Sequence, residues 1–321
     1  MSAAKPILAP VDPAAASQLS PWPQRLAGEQ PWRRPAAGQD GRAEYEQGWY
    51  AELLAKWVAF SGRLGPQQRH PGAVLRFFDE VRRANNAAMR DNPAVYGTVD
   101  LRAYLVSVAD ALYAADVNLF ELLYRAFIAE RAAAAQAQHP FEALVEIGCG
   151  NGGHLFNAYL RLGLSSVAGC DLSPSAVVFL RRVAADVGVP GTFAAGDYRS
   201  VPLLEQLAPA SSPWALLSVH AIEQAEALPG DWFERLARLK RPPAVGMHFE
   251  PLHWPDDAPF ARQCARYAEL NGYNQSFADA AQAAQAAGLI RIVQAERRVL
   301  GLSAYNPTSV LVWVPAGGAR P

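Results

Sequence analysis

Apolar positions along the chain change their spacing near residue 139. Before that point they recur three and four residues apart, which predicts amphipathic helices and thus an all-helical region over residues 43–138. The predicted helices are Ala43 to Arg63, one from His70-Pro71 through Val81, one capped by Asp100, and Asn118 to Ala135. Residues 1–42, with seven prolines, cannot form a helix or a central strand, so we expect an arm that is loose or draped over the body.

After His139-Pro140, short apolar runs alternate with helical stretches. The strands predicted are 143–147, 166–170, 192–195, 214–219, 244–249, 289–295 and 309–314, and helices are predicted at 153–162, 174–187 and 277–287. Such alternation is typical of an α/β fold with a seven-stranded, mostly parallel sheet and helices on both faces. The last two strands have no helix between them, so we expect them to pair antiparallel. The third region predicted is therefore a domain over 139–321.

Composition removes several classes of function. The 321 residues are 51% hydrophobic with a net charge of −1, which gives no global attraction to nucleic acid or membranes. Three cysteines, Cys149, Cys170 and Cys264, form no paired motif, so we expect neither a disulfide framework nor a metal site. No apolar run reaches the ~20 residues of a membrane span, and no secretory signal pattern is seen at the start. We expect a cytoplasmic protein.

A glycine-rich loop follows the first strand of the third region. Gly148, Gly150 and Gly153 fit the dinucleotide fingerprint, which alone is a weak signal. Glu146 lies two residues before the loop, where a carboxylate favours a ligand ammonium group over a pyrophosphate. Asp171 ends the next strand, a position suited to a ribose diol. A ligand with an amino-acid end, a ribose and no phosphate is S-adenosylmethionine (SAM).

On these residues the chain resembles the class I SAM-dependent methyltransferases over about residues 140–315. The segment Glu-Ile-Gly-Cys-Gly-Asn-Gly at 146–152 is similar to their first motif, and Cys-Asp-Leu-Ser-Pro at 170–174 to their ribose-binding segment. Gly-Asp-Tyr at 196–198 and Ser-Val-His at 218–220 resemble their later motifs. The resemblance implies a Rossmann-like sheet and a cofactor site, whose residues would be Glu146, Gly148, Gly150, Asn151, Gly152, Asp171, Leu172, Asp197, Tyr198, Ser218 and His220.

Candidate acceptor chemistry lies at the same sheet edge. His220 follows a buried strand with Glu223 close enough to orient it, which favours a general base, although it could instead shape the pocket. Glu250 and His253 follow the next strand and are candidates for binding or catalysis on a polar acceptor. Their spacing with His248 matches no metal motif. Two further segments have two possible interpretations: they line the acceptor pocket, or they form ordinary turns. One contains Tyr273 and Asn274, and the other spans residues 305–309.

The helical region over 43–138 is expected to act as a cap over the cofactor. Tyr45, Trp49 and Tyr50 are placed nearest the sulfonium, because aromatic faces attract cations. The same aromatic residues would also serve simply to pack one helix on another. A large cap formed by this chain itself, and the lack of a basic surface, favour a small-molecule acceptor over nucleic acid. Whether the protein forms a homodimer is left open.

Four functions therefore compete. The first is SAM-dependent methyl transfer to a small molecule. The second keeps SAM but releases methylthioadenosine, by cyclisation of the kind that azetidine-2-carboxylate synthases perform or by aminocarboxypropyl transfer. The third is a nicotinamide-dependent oxidoreductase, and the fourth is a SAM-binding module without catalysis.

Overall fold

The computed structural model describes residues 8–30, 48–91, 100–225 and 227–317. Their ten strands form one sheet in the order β1-β3-β2-β9-β10-β8-β7-β4-β5-β6. The strands are β1 (Leu8–Pro10), β2 (Tyr104–Val108), β3 (Ala111–Ala115), β4 (Ala143–Ile147), β5 (Ser166–Asp171), β6 (Gly191–Ala195), β7 (Trp214–Val219), β8 (Val245–Glu250), β9 (Ile290–Gly301) and β10 (Thr308–Pro315).

Helices pack on both faces of this sheet. They are α1 (Trp22–Leu26), α2 (Tyr50–Ser61), α3 (Gly72–Asp91), α4 (Val117–Gln138), α5 (Gly153–Leu162), α6 (Pro174–Val187), α7 (Val201–Leu207), α8 (Trp232–Ala237), α9 (Pro259–Asn271) and α10 (Phe277–Ala286). Short 3-10 helices occur at Pro13–Gln18, Pro66–Gln68 and Ile222–Gln224. Among the described residues, no helix combines the length and the hydropathy needed to cross a bilayer.

The centre of the sheet is parallel and fully buried. All residues of β4 are buried, and β4 pairs in parallel with β5 on one side and β7 on the other. Successive residues of β4 pack into opposite cores, Leu144 with α2 to α6 and Val145 with α7, α8 and α10. The chain order reverses across β4, and at such a reversal α/β sheets bind ligands in a crevice beyond the carboxyl ends of the strands.

The antiparallel pairing predicted for the last two strands is confirmed. β10 runs antiparallel to β9 and to β8, so β9 is parallel to the central strands. A mixed α/β fold with a large sheet is therefore present, but the predicted strand count of seven is wrong. Three more strands extend the sheet beyond β9, and all three come from the N-terminal part of the chain.

An all-helical region over 43–138 is the second wrong prediction. The segment after Asp100 forms the antiparallel hairpin β2–β3 rather than a helix. Leu105 and Val106 are adjacent, yet they pack into different apolar clusters, which is the two-residue period of a strand. Ala109 and Asp110 form the turn, with φ of 46° and 69°, and such left-handed pairs are suited to two-residue hairpins.

The proline-rich arm is ordered over residues 8–30 and lies against the body. β1 pairs with β3 at the sheet edge, where a terminal proline is tolerated. The prediction that this segment cannot be helical is wrong, because Pro23 occupies the first turn of α1, where its missing N–H costs nothing. Ala16 and Trp22 pack with Tyr267 and Tyr305, so the arm covers part of α9.

Helices α2 and α3 cover one face of the sheet. Trp57 on α2 is fully buried among Phe60 and Phe77, and its indole N–H donates to Asp186 of α6 at 2.9 Å. The same apolar cluster includes buried residues of β4 and β8, so this packing is continuous with the sheet. The division into regions 1–42, 43–138 and 139–321 stays a prediction.

Candidate functional site

The glycine loop after β4 turns through left-handed backbone. Gly148, Gly150 and Gly152 have φ of 60°, 51° and 73°, a region that glycine enters without steric cost. A Cβ on Gly152 would lie 2.5 Å from the Leu180 side chain, so this loop packs directly on α6. The Asn151 side chain accepts a hydrogen bond from the Gly153 N–H at 2.9 Å, which helps to begin α5. The loop therefore brings its backbone to the carboxyl edge of the sheet, where Gly148, Gly150 and Gly152 add no side chains.

Asp171 lies beside this loop at the carboxyl end of β5. Its two carboxylate oxygens accept hydrogen bonds from the N–H groups of Gly150 and Ser173, each at 2.9 Å. Each oxygen has a second lone pair, so the carboxylate can still accept from a ligand hydroxyl. The next residue, Leu172, is 47% exposed and offers an apolar surface at the same edge.

Glu146 is buried on β4 beneath the loop. Burial, and after it the nearby Asp171 carboxylate, raise the pKa of Glu146 well above its usual range. A hydrogen bond from the Leu155 backbone opposes this shift. Among the described residues, its Oε2 atom has no hydrogen-bond partner. A buried carboxylate oxygen without a partner is costly, so this position favours a cationic or hydrogen-bond-donating group.

The carboxylate of Asp197, which follows β6, is already paired. Asp197 forms a two-pronged ion pair with Arg199, with Arg199 Nε at 2.8 Å and Nη2 at 2.5 Å from Oδ2. These hydrogen bonds lower the pKa of Asp197. Tyr198 is buried and its hydroxyl donates to the Ala221 carbonyl oxygen at 3.3 Å. Tyr198 thus ties the edge after β6 to the loop after β7.

Ser218 belongs to a buried network at the end of β7. Its Oγ lies 2.8 Å from Nδ1 of His248, and Nε2 of His248 accepts from the Trp313 indole N–H at 2.8 Å. Burial lowers the pKa of His248 to about 3, so the ring is neutral. The Ser218 and His248 side chains are both fully enclosed, and they join β7, β8 and β10 rather than facing the crevice.

His220 is held at both ring nitrogens. Nδ1 lies 3.2 Å from Glu223 Oε1, and Nε2 lies 2.6 Å from Thr308 Oγ1. Thr308 in turn lies 2.6 Å from the hydroxyl of Tyr124 on α4. His220 also has φ of 50°, a strained value for a residue with a side chain, of the kind that concentrates at functional sites.

The charge state of His220 follows from two opposed effects. Burial alone would lower the pKa of the imidazole, but the charge and hydrogen bond of Glu223, with Glu250 behind it, outweigh burial and raise it. The pairing of His220 with Glu223 expected from sequence is therefore present. This geometry stabilises an imidazolium that donates to both Glu223 and Thr308.

Glu250 supports the loop after β7 from below. Its carboxylate accepts hydrogen bonds from the backbone N–H groups of Ala221 and Ile222, at 3.1 and 3.2 Å, and from that of Glu223 at 3.4 Å. Burial, and then repulsion from Glu223, raise the pKa of Glu250 to about 7. Its side chain is 1% exposed, so Glu250 positions His220 and Glu223 from within the protein.

The remaining acceptor candidates are Asn274, Tyr273 and His253, of which Asn274 contacts Glu223. Asn274 is buried and its backbone N–H donates to the Glu223 carbonyl oxygen at 2.7 Å. Tyr273 packs near Tyr267 of α9, with ring centroids 6.2 Å apart. His253 lines a separate cavity beyond the end of β8. The described residues hold no group of three metal-ligating side chains placed to bind an ion.

Of the aromatic residues expected near the cofactor, Tyr50 lies beside the glycine loop. A Cβ placed on Gly150 would lie 3.4 Å from the Tyr50 hydroxyl. Trp49 is half-buried and packs against the large apolar cluster on that face. Tyr45 lies outside the described residues.

Two side chains that the sequence analysis did not single out, Tyr124 and Arg298, complete the edge together with Thr308 of the segment 305–309. Tyr124 and Thr308 are 184 residues apart, so no local spacing reveals their hydrogen bond. Arg298 pairs with Asp110 of the β2–β3 turn, across 188 residues. No spacing in the sequence points to this pair, and the left-handed φ of 45° at Arg298 is visible only in the structure.

Comparisons with known proteins were made for the whole chain. No protein-family model matches it. No curated protein matches it either. The chain is similar to solved structures of magnesium protoporphyrin IX methyltransferase from Synechocystis PCC 6803 with bound S-adenosyl-L-homocysteine (SAH; 16% identity, 62% of this chain and 85% of that one, TM-score 0.43). It is also similar to geranyl diphosphate C-methyltransferase from Streptomyces coelicolor A3(2) (15%, 58% and 78%, 0.41) and to the [4+2]-cyclase SpnF (14%, 61% and 81%, 0.42).

Proposed function

We propose that the protein is a SAM-dependent methyltransferase that acts on a small molecule. The observation that carries the proposal lies at the reversal of strand order, where the Gly150 N–H of the glycine loop donates to Asp171 at 2.9 Å. An aspartate at the end of the second parallel strand, held against such a loop, suits a ribose diol.

The other parts of SAM have matching surroundings along this edge. The unpartnered, buried Oε2 of Glu146 suits the ammonium of the methionine part. The exposed Leu172 side chain suits one face of adenine. Asp197 would have to accept the adenine amine while it keeps its ion pair with Arg199. Ser218 would contribute only backbone, because its hydroxyl is enclosed with His248.

Methyl transfer would proceed by in-line displacement. The sulfur–methyl bond breaks as the bond from the acceptor atom to the methyl carbon forms, and an acceptor that carried a proton releases it. His220 and Glu223 form a titratable pair within the loop after β7. His220 can take a proton from the acceptor only in its neutral form and only if the hydrogen bond between Nε2 and Thr308 is displaced.

The same occupancy of His220 favours a second candidate function. In this alternative the α-amine of SAM attacks its own side-chain carbon next to sulfur; the carbon–nitrogen bond forms, the carbon–sulfur bond breaks, and methylthioadenosine leaves. Aminocarboxypropyl transfer to another nucleophile releases the same product. A site whose histidine has both nitrogens engaged within the protein suits a reaction that has no separate acceptor.

Cofactor binding is tested first. Isothermal titration with SAH is expected to show binding that weakens at least tenfold, about 1.4 kcal/mol, in Asp171→Ala and in Glu146→Ala. Asp231→Ala is the matched control, because Asp231 is an exposed aspartate that forms an ion pair with Arg235 one helical turn away. Binding of SAH to both site variants as tightly as to the parent would rule out this cofactor site.

Incubation with SAM alone then separates the two reactions. Mass spectrometry of the nucleoside products should show intact SAM if the protein awaits a methyl acceptor. Methylthioadenosine above a no-enzyme control would instead establish that SAM itself is the substrate.

A further inference from the structure

Two residues of the segment before β10 contact the His220–Glu223 pair at opposite ends. Asn306 donates from Nδ2 to Glu223 Oε2 at 2.9 Å, and Thr308 Oγ1 lies 2.6 Å from His220 Nε2. Between these two contacts, Glu223 Oε1 lies 3.2 Å from His220 Nδ1. One short stretch of chain therefore contacts both members of a pair that belongs to another loop.

The segment is itself held by its neighbours. The Asn306 N–H donates to the Ser303 carbonyl oxygen at 2.9 Å, which closes a turn. A Cβ on Gly301 would collide with Ser107 Oγ of β2 and would lie 3.1 Å from Pro307 Cα. The segment thus packs closely against the end of β9 and the N-terminal hairpin, so its side chains reach the pair from a well-fixed backbone.

Within this network, His220 is the member most open to solvent. Its side chain is 28% exposed, whereas that of Glu223 is 4% exposed. Asn306, Thr308 and Tyr124 are buried. A ligand at this edge would therefore meet the imidazole first, with the other groups behind it.

The donors and acceptors of the network have one fully bonded arrangement when the imidazole is neutral. An ionised carboxylate only accepts, so Nδ1 carries the proton that bonds to Glu223. Nε2 then accepts from the Thr308 hydroxyl, and the Thr308 oxygen accepts from the Tyr124 hydroxyl 2.6 Å away. Every hydrogen of the chain is used, and Nε2 is the basic nitrogen.

Asn306 secures this arrangement from the far side of Glu223. Its amide donates to Oε2, which leaves Oε1 facing His220. In the opposite tautomer, with the proton on Nε2, the Nδ1 lone pair would lie against a carboxylate oxygen with no hydrogen between them. The tautomer of His220 thus follows from Glu223, and the orientation of Glu223 follows from Asn306.

Titratable groups on the neighbouring elements do not replace Glu223 in this role. Burial lowers the pKa of His154 on α5 to about 3, so its ring is neutral. Burial also raises the pKa of the Tyr124 hydroxyl on α4, which therefore keeps its proton. Glu250 of β8 adds its charge to that of Glu223, while its own oxygens accept from backbone N–H groups. Glu223 is the carboxylate that is hydrogen-bonded to the ring.

We propose that Asn306 and Thr308 are positioning residues for His220, which they hold as the Nδ1–H tautomer with Nε2 as its basic atom. Both act through the pair. When the Thr308 hydroxyl turns away, a proton can move to the Nε2 lone pair, and Glu223 balances the charge of the resulting imidazolium. That this proton comes from a methyl acceptor rests on the proposed function, whereas the tautomer and its control do not.

NMR of the full chain labelled with ¹⁵N-histidine tests the tautomer without any substitution. A protonated and a bare ring nitrogen differ in chemical shift, and the signals that disappear in His220→Gln are those of His220. At a pH above the pKa of His220, we expect the proton on Nδ1. A proton on Nε2 would overturn the proposal, and this result does not depend on whether any other variant folds.

Thr308→Val and Thr308→Ser separate the hydroxyl from the shape of the side chain. A hydrogen bond from an imidazolium N–H is stronger than one accepted by the neutral ring, so loss of the hydroxyl should lower the pKa of His220 by about half a unit or more. Thr308→Ser keeps a hydroxyl and should retain the parent pKa. Equal pKa values in Thr308→Val and the parent would overturn the role of Thr308.

Asn306→Ala tests the second anchor. With Oε2 released, Glu223 can turn away from Nδ1, and the Nε2–H tautomer should become detectable. Asn86→Ala is the matched control, because Asn86 also donates one amide hydrogen bond, to Asn118 at 2.7 Å between α3 and α4. This control should leave the His220 signals unaltered. Unaltered His220 signals in Asn306→Ala would overturn the role of Asn306.

A parallel SAH titration keeps this test separate from the proposed function. The Nδ1–H tautomer without SAH binding would leave the positioning roles standing and remove the methyltransferase proposal. SAH binding with the proton on Nε2 would do the opposite.

Discussion

The two halves of the carboxyl edge of the sheet are built in different ways. On the side proposed to bind the cofactor, the glycine loop, Glu146 and Asp171 come from one strand-loop-helix-strand segment of consecutive chain. On the side proposed to bind the acceptor, here called the acceptor side, Tyr124, Thr308 and His220 meet from three distant segments. The first half is fixed mainly by backbone geometry, and the second by hydrogen bonds between buried side chains. Substitutions should therefore damage the two halves through different physical causes.

The largest effect is expected at the glycine loop. Gly152→Ala combines a left-handed φ of 73° with a Cβ placed 2.5 Å from Leu180 Cδ2 and 3.1 Å from Phe156. Backbone strain of about 1–3 kcal/mol and overpacking of similar size should lower the free energy of unfolding by about 4 kcal/mol. Urea denaturation followed by circular dichroism measures the loss.

Gly163→Ala is the matched control for that variant. Gly163 has φ of 62°, but a Cβ there meets nothing within 4 Å, so only the backbone cost of about 1 kcal/mol applies. If the two variants lose equal stability, the close packing of the loop on α6 contributes nothing.

Glu250 should give the second largest effect, as a dependence of stability on pH. Its pKa of about 7 in the folded protein exceeds the ordinary value of 4.5, so folding favours the protonated carboxyl. Its contribution is fully present below about pH 4.5 and is lost as pH rises to 7, up to roughly 3 kcal/mol. Relative to the parent, Glu250→Gln should become progressively more stable across this window.

Other groups change stability in the same pH range, so the comparison must be between the two proteins. Buried His154, with its pKa lowered to about 3, makes the folded state less stable as pH falls. His248 and His253 act in the same direction. These histidines are shared by parent and variant, and their effect cancels in the difference. A pH-independent difference between the two proteins would contradict the buried, raised pKa of Glu250.

Thr308→Val tests whether the acceptor side depends on its hydrogen bonds. The substitution keeps the shape of the side chain but leaves Nε2 of His220 and the Tyr124 hydroxyl without their partner. Unsatisfied buried polar groups cost about 1–3 kcal/mol, so we expect a loss of about 2 kcal/mol in the free energy of unfolding. The pKa of His220, measured by NMR titration, should also change.

Tyr124→Phe completes a double-mutant cycle with Thr308→Val. Removing both hydroxyls leaves only His220 Nε2 unpaired, so the double variant should be more stable than the sum of the two losses predicts. Strict additivity would mean that Tyr124 and Thr308 are not coupled.

The difference between the halves also explains which features the sequence reveals. The strand at 143–147 and the helices at 153–162 and 174–187 have the predicted bounds, because periodicity and capping are local. The β2–β3 hairpin was missed because Leu105 and Val108 also fit a helical spacing, and pairing with β9 decides between the two. The hydrogen bond of Thr308 to His220, and the enclosure of Ser218, depend on contacts across many residues and leave no local pattern.

The smallest effect is expected where the N-terminal hairpin pairs with Arg298 of β9 through Asp110. Asp110 is 42% exposed and shares Arg298 with Asp256, so Asp110→Asn removes one of two carboxylates from a buried guanidinium. Asp256 still holds Arg298, which limits the expected loss in the free energy of unfolding to about 1 kcal/mol.

Asp231→Asn, in an exposed helical pair, should cost less than about 0.5 kcal/mol. Chemical denaturation of both variants at low and high salt measures the two losses. Asp110 lies in the turn of the hairpin that extends the edge of the central sheet. If Asp110→Asn loses no more stability than Asp231→Asn does, the hairpin packs beside the acceptor side without stabilising it.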